Sequence, residues 1–269
     1  MSDFVPDDHT GLWRREVITA PGYRDETTRV LWLQTRSWYA DVRVPIDRPG
    51  ARGEGFGAYS DGELLELAKI QGFAGQLRAA DGICFWRRDL DHQPSGPMPD
   101  EARCGVEGEV MIEDGIHADY QEIWRREDMS QAPLAAFKLE GADRDGLLVV
   151  GGRHMIEFIA RPGALPVGES LADVVAADLA AGHRASAEAL LGTRIRYASR
   201  DENTCWITQL SSFPWLEGWP MWTGAAFDPR GQVLETITGV ERSMWRLLDA
   251  SEPPERRLFA AITTEGATP

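Results

Sequence analysis

In Tyr39-Ala-Asp41-Val-Arg43 and in Tyr120-Gln-Glu122-Ile-Trp124, an aromatic ring, a carboxylate and a third large group recur at every second residue. In an extended chain this spacing puts Tyr39, Asp41 and Arg43 on one face and Ala40, Val42 and Val44 on the other, and groups Tyr120, Glu122 and Trp124 in the same way. If the aliphatic face is outermost or packs beneath a helix, the polar face points into a barrel. Asp41 and Arg43 must then pair, because an isolated buried charge is costly. A carboxylate desolvated among aromatic rings has its pKa raised toward neutrality, where it serves as a general acid or base. The chemistry expected is proton transfer, with Asp41 or Glu122 moving the proton. Tyr39, Tyr120, Arg43 and Arg88 would stabilise a developing oxyanion or phenolate. An ordinary sheet with a solvated charged face would carry the same pattern.

Two further segments add to the set. Leu31-Trp32-Leu-Gln34 and Cys84-Phe-Trp86-Arg-Arg88 each place a tryptophan two residues before a polar side chain. A plain core prefers aliphatic partners there, since every buried polar atom must find a hydrogen bond. A ligand pocket combines apolar walls with a few placed polar groups. Trp32, Gln34, Trp86, Arg88 and Trp124 are therefore the candidate ligand-binding residues. The ten tryptophans of the chain serve either as core or as an aromatic pocket. Trp215, Trp219 and Trp222, near Ser211-Ser-Phe-Pro214, fall in loops or at a barrel rim, where they would form a lid, a homodimer contact or a loop folded onto its own barrel.

Other chemistries lose support from the motifs. Ser211-Ser212 is not in G-x-S-x-G, Gly53-x-Gly55-x-Gly57 fails G-x-G-x-x-G because position 58 is Ala, and no G-x-x-x-x-G-K-[ST] occurs. Asp89, Asp91 and His92, His117 and Asp119, and His154 and Glu157 are close in sequence but match no metal-site spacing. No metal and no cofactor is expected. A formal net charge of -15 would repel a phosphate backbone or an anionic membrane, so neither nucleic acid nor membrane is an expected partner. The first residues, MSDFVPDDHT, have no basic n-region and no apolar h-region, and no stretch reaches the ~18 apolar residues of a membrane span. Three widely spaced cysteines, Cys84, Cys104 and Cys205, form no C-x-x-C. That usage fits a reducing compartment, and a cytoplasmic location is expected.

The elements that must position these residues are mostly strands. Period-two alternation marks Gly11 to Ile18, Thr28 to Trp32, Trp38 to Val44, Gly82 to Arg88, Glu107 to Ile112 and Ala118 to Arg125, and returns at Phe137 to Leu139, Leu147 to Val150, His154 to Ala160, Arg194 to Tyr197, Cys205 to Leu210, Met221 to Phe227, Val233 to Ile237 and Met244 to Leu248. A further strand is expected around Leu258 to Ile262. Ser60 and Glu63 form a capping box ahead of a short helix ending at Gly72, and a second helix is expected from Ser170 to Gly192, with Gly182 able to divide it. Strands ending at Arg43-Val-Pro45 and at Arg161-Pro162 each lead through a loop into a capped helix and new strands, which suggests an internal duplication. The expected division is an amino-terminal barrel-like half, 1–130, and a carboxy-terminal β-rich half, 131–269.

This layout is mainly β and antiparallel, with a sheet that closes or folds over itself. Gly11-x-Trp13, at the head of the first strand, resembles the G-x-W opening of lipocalin-type (calycin) barrels. The resemblance implies that Trp13 packs across a barrel floor and that the barrel cups a hydrophobic ligand. The chain departs from that family in its length, in lacking a secretory signal and in having a helix between early strands. The fold expected is a lipocalin-like barrel, or two fused barrel-like halves, with two short helices. Two functions stay open: a cofactor-independent lyase or isomerase acting on a small apolar or aromatic molecule, and a carrier that binds such a molecule unchanged. A structural protein with filled barrels is a third.

Overall fold

The computed structural model describes residues 5–94, 96–141, 144–165, 168–200, 205–238 and 241–250. The strand expected around Leu258 to Ile262 lies outside the described residues. The fold is mainly antiparallel β. Its first sheet contains β1 (Gly11–Ala20), β2 (Tyr23–Asp25), β3 (Arg29–Gln34), β4 (Trp38–Val44), β5 (Phe73–Ala80), β6 (Ile83–Asp91), β7 (Glu101–Glu107), β8 (Val110–Gly115) and β9 (Gln121–Arg126). Eight of these run in the order β1-β3-β4-β5-β6-β7-β8-β9, and β9 returns to pair with β1, closing a barrel; β2 extends β1 as a short flap. An eight-stranded barrel is just wide enough for side chains to fill it, or for one small ligand.

The second sheet holds β10 (Leu134–Glu140), β11 (Asp145–Gly151), β12 (His154–Ile159), β13 (Arg194–Ser199), β14 (Ile207–Ser211), β15 (Gly224–Phe227), β16 (Val233–Thr238) and β17 (Glu241–Ala250). Its order is β14-β13-β12-β11-β10-β17-β16-β15, a half-barrel open between β14 and β15. Both sheets follow one plan. Three ladder strands precede a helical segment, five follow it, and the last strand pairs with the first: β9 with β1, and β17 with β10.

The helices are α1 (Asp61–Leu67), α2 (Leu171–Ala180) and α3 (Arg184–Leu190). Ser60 and Glu63 form the capping box that starts α1. Three helices stand where two were expected, because Gly182, at φ +77°, ends the long segment and lets the chain turn into α3. Two strands differ from expectation. The segment Phe73 to Ala80 has few β-branched residues, yet β4 and β6 flank it on both edges and make it β5. The strand expected from Glu107 to Ile112 is instead a hairpin, with β7 ending at Glu107 and β8 running on to Gly115.

The shared core decides which face of each strand turns inward. Leu31 and Leu33 of β3 and Ala40, Val42 and Val44 of β4 pack with Leu147 and Val149 of β11 and Ile156 and Phe158 of β12, and the three helices cover the rim. The apolar side of β4 is thus the outer wall of the barrel, and Tyr39, Asp41 and Arg43 face the lumen. The second sheet curls around Phe137, Leu148, Trp206, Trp222 and Trp245. Trp222 is core rather than lid, Trp215 is half-buried against Phe56 and Phe213, and Trp219 is exposed.

Inside that second core, Glu157 accepts from Arg196 at 2.5 and 2.6 Å and from Arg194 at 3.1 Å. Burial pushes the Glu157 carboxyl up, but the two guanidinium groups outweigh it and hold the pKa at about 2. A carboxyl depressed on folding contributes stability above its ordinary value, near 4.5, and loses it as pH falls toward 2. Glu157→Gln leaves Arg196 buried without a counter-charge and is expected to cost roughly 3–5 kcal/mol. Urea unfolding at pH 7 measures this, and a cost below 1 kcal/mol would show that the pair is not structural.

Candidate functional site

One end of the amino-terminal barrel is closed. Trp13 is fully buried, its indole N–H donates to the His9 carbonyl at 2.8 Å, and the Arg126 guanidinium lies 4.5 Å from its ring centre. Trp13 stands beside Trp32 in the β1–β3 ladder. Above it the lumen is aromatic: Trp32 meets Trp86 and Trp124 edge-on, with ring centres 5.8 and 5.7 Å away. The Trp32 indole N–H is buried and meets no acceptor.

A charged layer follows. Asp41 accepts from Arg43 Nε at 2.7 Å and from the Phe73 backbone N–H at 2.7 Å. Arg43 Nη1 lies 3.9 Å from Glu122 Oε1, which also takes a 2.7 Å bond from Arg15 Nη1; Arg15 Nη2 reaches Asp25 at 3.0 Å. The Phe73 ring carries two cations, with Arg88 3.7 Å and Arg43 4.8 Å from its centre. Arg88 is tied in turn to Asp100 at 2.9 Å and Asp91 at 3.2 Å. Burial pushes the Asp41 carboxyl up, against the pull of Arg43.

Glu113 completes the layer. It faces inward on β8 directly opposite Glu122 on β9. Its Oε1 accepts from the Tyr120 hydroxyl at 2.9 Å and its Oε2 from the Trp124 indole N–H at 3.1 Å. Burial, and after it the Glu122 charge, push Glu113 up to about 8, against Arg43 and the Tyr120 hydrogen bond. Glu113 therefore carries a proton at neutral pH. Sequence reasoning passed over it because the strand was expected to stop at Ile112; the alternation of Met111 and Glu113, continued past the hairpin, is the signal that would have found it. Arg15, Phe73 and Asp100 were passed over as well, and Asp91 was weighed only as a metal ligand.

Of the residues singled out in sequence, Asp41, Arg43, Glu122, Tyr120 and Trp124 come together through these contacts, with Arg88 joined through Phe73. Trp32 and Trp86 form the aromatic layer beneath. Tyr39 joins the cluster only through its ring, which meets Phe73 edge-on at 5.9 Å; its hydroxyl lies 3.4 Å from the Arg87 carbonyl and so bonds backbone rather than Asp41. Gln34 is fully buried and donates to the Thr35 carbonyl at 2.7 Å, deeper in the ladder opposite Tyr39. Among the described residues, no three His, Cys, Asp or Glu side chains converge as a metal site requires.

Toward the opposite end of the barrel the lumen residues are partly exposed. Asp41, Glu113 and Glu122 are sealed, at 1, 7 and 3% exposure. Arg43 and Arg88 also face the lumen yet keep 22 and 28% of their side chains exposed, and Trp86 and Tyr120 are half-buried. Inward-facing residues that still meet solvent define a cup, with the arginines and the Tyr120 ring at its lip, the carboxylates behind them and the tryptophan layer beneath. Separate from it, a groove of about 880 Å³ crosses the outer face of β7 and β8.

A scan against protein-family models finds no match, and a search of curated proteins finds none. Among solved structures, the chain is similar to an uncharacterized protein, YLR301w, from Saccharomyces cerevisiae, with a TM-score of 0.54 and 15% identity over 90% of this chain and 99% of that one. At that identity the likeness concerns the fold. Together with the closed ladder it shows a β-barrel; membership of the lipocalins is not shown. No helix among the described residues is long and apolar enough to cross a membrane.

The Glu113 shift has a measurable sign. Its folded pKa, about 8, lies above its ordinary value of 4.5, so the folded chain holds a proton that the unfolded chain releases. Its contribution to stability is complete below about pH 4.5 and declines as pH rises through 8. Glu113→Gln keeps both contacts, with the amide oxygen accepting from Trp124 and the amide nitrogen donating to Tyr120. The melting temperature of the variant relative to the parent is expected to climb between pH 5 and 8 and then level off. A difference constant with pH would show that Glu113 is ionised throughout.

Proposed function

We propose that the partly exposed end of the amino-terminal barrel binds a small organic molecule with an aromatic or apolar body, and that Glu113 exchanges a proton with it, as in a lyase or isomerase that needs no cofactor. The supporting observation is the arrangement of the lumen: Tyr120, Arg43 and Arg88 partly exposed to solvent, a sealed carboxylic acid behind them, and Trp32, Trp86 and Trp124 beneath. Trp86 offers a flat apolar wall. Arg43 and Arg88 supply charged donors toward an oxygen that gains negative charge in the transition state. Glu113 titrates near neutral pH, where acid–base catalysis works best and typically contributes ~10²–10⁴ in rate. Asp41 and Glu122, bound to Arg43 and Arg15, hold the charge of the site rather than move the proton. The carrier function is favoured by a different observation, that Tyr120 and Trp124 occupy both Glu113 oxygens.

Ligand-detected NMR in D₂O with a panel of small aromatic ketones tests both functions. Binding is expected, with deuterium entering the carbon beside the carbonyl. Glu113→Gln should retain binding and slow the exchange by about 10²–10⁴, while Trp86→Ala should weaken binding. Binding without exchange would make the protein a carrier. No binding by any member of the panel would remove the cup as a site for this class of molecule.

A further inference from the structure

Arg161, just past β12, is 7% exposed and has no carboxylate within ion-pair distance among the described residues. Its Nε donates to Thr193 Oγ1 at 3.0 Å and its Nη2 to the His92 carbonyl, but Nη1 has no acceptor. His92 beside it is also buried. Its Nδ1 lies 3.5 Å from Arg161 Nη2, and its Nε2 has no partner. Burial, with the Arg161 charge second, keeps that ring neutral down to about pH 3, so the only positive charge of the pair is the guanidinium. Asp91, the nearest source of negative charge, is held by Arg88 at 3.2 Å and by the Gln93 backbone N–H at 3.1 Å. A buried cation without a counter-charge is costly, and burial pulls Arg161 down to about 10.

We infer that the junction between the two sheets is a second binding site, at which Arg161 takes the carboxylate of an aliphatic acid. Arg161 lines a cleft of about 660 Å³ whose walls include Leu90, Pro94, Ala164 and Leu165. Those residues suit an aliphatic body. Asp89, Asp91 and Asp145 outnumber Arg144 and Arg161 in the lining of the cleft, and that balance disfavours a dianion such as phosphate more than a singly charged carboxylate. Arg161 is itself among the residues that line the cleft, and its buried Nη1 is the guanidinium nitrogen without an acceptor, so binding requires the lining at Arg161 to shift enough to admit a carboxylate oxygen to that nitrogen. The site is separate from the barrel cup and stands whether or not the cup binds anything.

Calorimetric titration with hexanoate, hexanol and inorganic phosphate tests the assignment on the full chain. Hexanoate is expected to bind one to one and to raise the melting temperature, with hexanol and phosphate doing neither. Arg161→Gln should weaken hexanoate about tenfold to a hundredfold, as loss of a hydrogen bond to a charged group does. Because that variant removes a buried side chain, Gly96→Phe serves as a second: Gly96 lines the cleft and a Cβ there meets nothing within 4 Å, so the substitution leaves the core intact while adding bulk at the cleft wall, and it should also weaken binding. The assignment is overturned if hexanoate does not bind the unaltered protein, if hexanol binds equally, if phosphate binds more tightly, or if a folded variant of either kind binds hexanoate as the parent does.

Discussion

The burial of Ala40, Val42 and Val44 against the second sheet is the constraint on which the site depends. A strand has two faces, so fixing these three residues in the shared core turns Tyr39, Asp41 and Arg43 into the lumen. Barrel closure then brings Arg15, Glu113 and Glu122 to the same level. The lumen there holds three carboxylates, Asp41, Glu113 and Glu122, against two guanidinium groups, Arg15 and Arg43, and Arg15 also serves Asp25. Arg88 is taken up by Asp91 and Asp100. Low polarity enforces near-neutrality, and with more carboxylates than cations one carboxyl must keep its proton. Glu113 is the member that no guanidinium among the described residues hydrogen-bonds, and burial beside the Glu122 charge outweighs the Tyr120 hydrogen bond, so it is the one that stays protonated.

The second sheet repeats the strand plan with the opposite balance. Its third strand, β12, carries Glu157 where the third ladder strand of the barrel, β4, carries Asp41. Glu157 faces two arginines, Arg194 and Arg196, of which Arg194 also meets the exposed Glu241 at 2.9 Å. One carboxyl is pushed up to about 8 and the other held at about 2 on the same architecture, because the local ratio of cations to carboxylates is reversed. The rest of the second interior is tryptophan, phenylalanine and leucine, with Trp245 N–H satisfied by Thr236 at 2.7 Å. A largely apolar core with a strongly ionised pair specifies structure, whereas the barrel lumen keeps a carboxyl near neutrality.

Sequence reasoning reached β4 and the helix caps because their signals are local: strict alternation from Trp38 to Val44, and Ser60 three residues before Glu63. It missed β5 because Phe73 to Ala80 is extended by its neighbours rather than by its own residues. Glu113 was lost with the hairpin between β7 and β8, since shifting a strand end by a few residues removes an inward side chain from view. The contacts that tune the site were beyond reach for another reason. Arg15 and Glu122 are 107 residues apart and meet only because β9 closes onto β1, a pairing that neither segment announces.

The Gly11-x-Trp13 motif shows how a local pattern can carry such long-range information. Gly11 has φ +110°, and a Cβ there would lie 2.7 Å from Ser130 Oγ, in the segment that leads from the barrel to the second sheet. The same segment follows β9, whose Arg126 covers the Trp13 ring. Glycine is thus required where the connecting chain crosses the first strand, and tryptophan two residues on is required where the closing strand needs a floor to stack upon. Both residues record one event, the return of β9 to β1. Sealing that end of the lumen leaves the Arg43 and Arg88 end as its solvent-accessible side, so the geometry that makes the motif necessary also decides where a ligand would enter.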